Sequence, residues 1–108
     1  MTPIKLATLI GNILTQIDAM LSDPGFPMSD PDWQTLYALR KHLDDMQRLL
    51  IQATIEATDA SYIQLTKQIT AANKDLQGVI KDLDKIDAIV KTIAQIAALV
   101  DQVLKLKP

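Results

Sequence analysis

The chain has 108 residues, 48% of them hydrophobic and 22% charged, and a formal net charge of −2. This balance suits one folded domain, residues 1–108, and excludes a disordered chain. Cysteine is absent and no basic run is longer than Arg40-Lys41, which excludes disulfide scaffolds, thiolate metal sites, cysteine nucleophiles and an electrostatic footprint for nucleic acid.

The first helix is predicted over about residues 3–22. Thr2 is a preferred N-cap type, and Pro3 suits the first helical position, where its missing N–H costs nothing. Leu6, Ile10, Ile13, Ile17 and Met20 follow at alternating intervals of four and three, the period of a helix with one buried face. A lysine inside this apolar stretch and the lack of a small-residue cleavage site argue against a signal peptide. A cytoplasmic protein is expected.

The connector, residues 23–30, lies within SDPGFPMSDPDW, which holds three of the five prolines. Pro24-Gly25 is a turn signal. The prolines stiffen the join and lower the entropy of the unfolded connector. Phe26, Trp33 and Tyr37 are expected to fold over the end of a bundle as an apolar plug. The competing reading makes Trp33 and Tyr37 a docking surface, since aromatic residues anchor partners.

The second helix opens at Asp30-Pro31 by the same capping device. Its stripe runs Leu36, Leu39, Leu43, Met46 and Leu50, then on through Ala53, Ala57 and Ala60. No glycine or proline interrupts residues 32–77, so its end has two candidates. One is TDAS at 58–61, where Ser61 and Gln64 have capping-box spacing. The other is Asn73, a residue tolerant of the left-handed turn that ends helices. Packing favours Asn73: a second helix of about 31–72 and a third of about 75–106 set the most apolar segment, 86–104, beside the part of helix two that helix one also covers. Thirteen of those 19 residues are apolar, but Asp87, Lys91 and Asp101 interrupt them, so the segment reads as a buried helix and not a membrane span. The expected fold is all-α: an antiparallel three-helix bundle with unequal helices and a protruding two-helix coiled-coil tip.

The chemistry is sparse. His42 is the single histidine, and Asp45 three residues on gives it no second ligand set. Asp82, Asp84 and Asp87 alternate with lysines as a solvated helix face and lack the glycine and ligand spacing of a calcium loop. No serine stands in a nucleophile elbow. No catalytic residue, cofactor, metal site or small-molecule substrate is expected. The third helix carries a second apolar stripe, Ile89, Ile96, Leu99, Val103 and Leu106. Unless helix one covers it fully, it predicts a homodimer or a helical hetero-partner, because large apolar patches are seldom left exposed. The expected role is a non-enzymatic protein–protein interaction module, an adaptor or small chaperone-like accessory protein of bacterial type. The alternative is a membrane-active or secreted protein using the apolar 86–104 helix.

Overall fold

The computed structural model describes residues 1–106. It is all-α: α1 spans Pro3–Leu21, α2 Pro31–Gln52, α3 Ala60–Gln77 and α4 Ile86–Leu104, with a 3-10 turn at Leu83–Lys85 before the last helix. Three of the four starts are capped by a short side chain: Thr2 Oγ1 accepts from Lys5 N, Asp30 Oδ1 from Asp32 N and Asp59 Oδ1 from Tyr62 N. Asp82 caps the 3-10 turn through Asp84 N, and Asp23 accepts from Gly25 N in the connector. These bonds rationalise part of an acidic composition in which only Glu56 is not aspartate. A carboxylate one carbon from the backbone reaches the nearby N–H groups, whereas glutamate's extra methylene carries its carboxylate past them.

The continuous helix expected over 31–72 is two helices. α2 ends at Gln52, and Ala53 turns to extended backbone with φ −77° and ψ 140°. Residues 53–59, ATIEATD, then carry the chain to the Asp59 cap. Neither glycine nor proline stops α2. Ile51, Thr54, Ile55 and Thr58 lower helix propensity through their β-branched side chains, and Asp59 gains more as a cap than inside a helix. Asn73 lies within α3. The expected third helix of 75–106 is also interrupted: residues 78–82 reverse the chain a second time, between α3 and α4. Two reversals replace one, so the protruding tip does not form, and its residues Ile69, Ala72 and Leu76 are buried.

Polar contacts give the helix directions. Trp33 bonds Leu21, Arg40 bonds Asp18 and Gln47 bonds Ala7, so α1 and α2 run antiparallel. Residues 60–68 share a hollow with residues 102–106, so α3 and α4 are also antiparallel. The two hairpins join through α2 against α4, while α1 and α3 lie side by side, bridged by the paired amides of Gln16 and Gln77. The molecule measures 43 × 23 × 18 Å.

The alternating spacing places the core well. Leu6, Ile10, Ile13, Ile17 and Met20 are all buried, as are Leu36, Leu43, Met46 and Leu50. α4 is buried along two stripes, since it packs on both α2 and α3. Gly11 leaves room for the Gln47 side chain, whose amide N–H donates to Ala7 O at 3.1 Å; a Cβ at position 11 would stand 2.8 Å from that amide nitrogen. The second reversal is built differently from a glycine turn. Gly78 keeps a right-handed φ of −73°, and Lys81 takes the left-handed conformation at φ 77°. That conformation costs an L-residue with a Cβ roughly 1–2 kcal/mol. Lys81→Gly should therefore raise the unfolding free energy by about 1 kcal/mol, and Lys81→Val, with a branched Cβ, should lower it; urea denaturation of the three proteins checks the order.

Candidate interaction surfaces

The aromatic end of the molecule is a structural plug. Phe26 and Trp33 are buried. The Trp33 indole Nε1–H donates to Leu21 O at 3.0 Å, so the ring covers the last turn of α1 while satisfying one of its free carbonyls. Tyr37, one turn on, stacks against it with centroids 5.4 Å apart and planes at 17°. Tyr37 is exposed and Trp33 is not. Of the two, only Tyr37 presents its ring to solvent.

The second stripe of the last helix is not a surface. Ile89, Ile96, Leu99 and Val103 are buried inside the chain, and Leu106 is half-buried beside the hollow between α3 and α4. The cause is the second reversal. α3 and α2 cover α4 from two sides, a service the expected fold left to helix one or to a partner. The stripe therefore offers no face for a dimer. Leu14 of α1 is likewise buried, while Ile4 is exposed.

Exposed aliphatic side chains gather at the opposite end from the aromatic plug, around the start of α1 and the end of α2. Ile4 is 70% exposed and Ile51 61%. They border a shallow hollow of about 330 Å³ with Pro3, Leu50 and Ile55. Met1 lies beside a second hollow of about 300 Å³ that reaches Ile63, Thr66, Lys67 and Thr70 of α3.

Met1 also borders a longer groove of about 570 Å³ between α1 and α3. Its walls are mixed: Leu9 with Thr8, Asn12, Thr15 and Gln16 of α1, and Asn73 and Gln77 of α3, with Lys5 at the Met1 end. Gln16 and Gln77 exchange two hydrogen bonds of 2.9 Å, and Gln77 also donates to Asn73 Oδ1 at 3.1 Å. This triple amide contact closes the far end of the groove. Sequence reasoning missed the groove because it paired no helix with α1 in parallel.

Charge on the α2 face is paired off. Arg40 meets Asp18 through two bonds of 2.9 and 3.2 Å, and Asp44 stands 3.9 Å from Arg40 and 3.1 Å from Arg48. The hydrogen bond to Asp18 raises the Arg40 pKa, against a smaller opposing effect of burial. His42 is exposed on the other flank of α2. Among the described residues, no three of His, Asp and Glu converge as metal ligands. α1 is the one helix among them long and apolar enough to cross a membrane, by length and composition; in the fold it turns its buried residues to the core. Matched against family models, curated proteins and solved structures, the chain finds no significant relative in any of the three.

Among the described residues, one core group is unsatisfied. Tyr62 is fully buried and its hydroxyl has no hydrogen-bond partner, which costs about 1–3 kcal/mol. Burial pushes its pKa up. The folded phenol then keeps its proton where the unfolded one has lost it. Its contribution is whole below the ordinary tyrosine value of about 10 and is lost as pH rises from there through the raised folded value. Tyr62→Phe should be more stable than the parent by about 1 kcal/mol at pH 7. It should also lose stability less steeply above pH ~10, as urea titrations at neutral and alkaline pH will register.

Proposed function

We propose that this protein is a non-enzymatic protein–protein interaction module, an adaptor or small accessory protein whose docking surface is the Ile4–Ile51 end of the bundle. The observation that carries this reading is the exposure of those two large aliphatic side chains beside a shallow hollow. Leu49 and Ile63 are also exposed, though less so, and Met28 of the connector is exposed by itself, whereas Ile89, Ile93, Ile96, Leu99, Val100 and Val103 of α4 are buried. An exposed aliphatic cluster on such a molecule is the usual mark of a binding surface. Tyr37, exposed at the other end, is a secondary contact at most, since it stands beside a ring already engaged in the fold.

A second reading draws on α1. Its length and composition would let it enter a membrane if it left the bundle, which makes a membrane-active protein the alternative. Release would expose Leu6, Ile10, Ile13 and Ile17 together, a cost of several kcal/mol before any gain from lipid.

Photo-crosslinking in the native host distinguishes them. A photoreactive residue at position 51 should yield a discrete protein adduct that the same residue at position 41 does not. Ile4→Lys should reduce that adduct at least about tenfold while leaving the melting temperature unchanged, because an exposed side chain contributes little to stability. Adducts only to lipid, or equal adducts from both positions, would contradict the proposal.

A further inference from the structure

We infer that the groove between α1 and α3 binds an extended acidic peptide segment of a partner protein, with its carboxylates at the Met1 end; the inference rests on the reading of the protein as an interaction module. The charge distribution carries it. All thirteen acidic residues lie outside residues 1–17 and 60–74, the stretches that supply all of the two walls except Gln77. Lys5 borders the groove and Lys67 the adjoining hollow, both next to Met1. Neither makes an ion pair among the described residues. A chain of net charge −2 therefore keeps one channel free of negative charge and places two unpaired ammonium groups at one end of it.

The lining specifies the conformation of the occupant. A helix has satisfied its own backbone and would offer the groove only side chains. An extended segment presents a free N–H and C=O at every residue, and these must find partners when buried. The Asn12 and Asn73 amides supply neutral donors along the groove, and the Thr8 and Thr15 hydroxyls, which donate to Ile4 O and Gly11 O, supply acceptors. From Lys5 to Gln16 the wall is about 16 Å long at 1.5 Å per residue, enough for roughly five extended residues at ~3.3 Å each. The Gln16–Gln77 amide pair stops the channel at its neutral end, so the carboxylates meet the lysines at the other.

The test is selection of a randomised dodecapeptide display library on the full-length protein, followed by amide-shift mapping of the enriched peptides. Enriched sequences should be acidic and should shift residues 5–16 and 66–77. Lys5→Glu with Lys67→Glu should weaken them at least tenfold, and Lys91→Glu, on an exposed position of α4, should have less than a twofold effect. Binding should also weaken as salt is raised. Peptides without acidic bias, or acidic peptides indifferent to the lysine pair, would overturn the inference. Peptides that map instead to Ile4 and Ile51 would overturn it while leaving the interaction-module reading intact; no enrichment, together with no adduct from position 51, would end both. Vesicles of phosphatidylglycerol serve as the parallel probe: if they shift the groove residues and no peptide does, the cations serve a membrane surface and the inference fails.

Discussion

The fold depends on one constraint, the cover required by α4. Ile89, Ile93, Ile96, Leu99, Val100 and Val103 run round more than one face of that helix, and all are buried. A helix apolar on two faces needs at least two neighbours, and at about 1.5–3 kcal/mol for each buried aliphatic side chain the demand outweighs local helix propensity. α2 and α3 meet it from two directions. For both to reach α4, the chain must reverse once after α2 and again after α3. The reversals at 53–59 and 78–82, including the left-handed Lys81, follow from that need.

The same constraint shapes the surface. Because α4 is held by α2 and α3, α1 closes the bundle from the α2 side and leaves a seam against α3. That seam carries hydroxyl and amide side chains at its surface. Thr15, Gln16 and Gln77 line its outer edge, above the buried core. The end of the bundle where α1 starts and α2 stops has no plug like the Trp33 ring, and there Ile4 and Ile51 remain exposed. Both proposed binding regions are thus consequences of how α4 is covered.

Much of the local structure was legible in the residues. Thr2-Pro3 and Asp30-Pro31 announce two helix starts, and both are observed. The seams of α1 and α2 follow from their spacing, because a 3.6-residue period writes burial directly into sequence. The end of α2 was less visible. It lacks glycine and proline, and its signal is a cluster of β-branched residues before an aspartate whose capping role shows only once α3 exists. The turn at Lys81 left no mark at all, since lysine has no preference for a left-handed backbone. Missing that turn left residues 86–104 without enough neighbours and assigned the cover of their second stripe to a partner, where α2 and α3 supply it. The α1–α3 groove joins residues about sixty positions apart through side chains with no periodic signal, so only the assembled fold brings it together.

The central claim is that the chain doubles back between α2 and α3. With no native cysteine, spin labels at Lys41 and Lys67, both exposed, report it directly through pulsed electron spin resonance. The two positions lie mid-way along helices in a body whose cross-section is 23 × 18 Å, so a narrow distribution below about 30 Å is predicted once label arms are included. A continuous helix through residues 41–67 would separate them by about 39 Å at 1.5 Å per residue, and a distribution centred there would contradict the account.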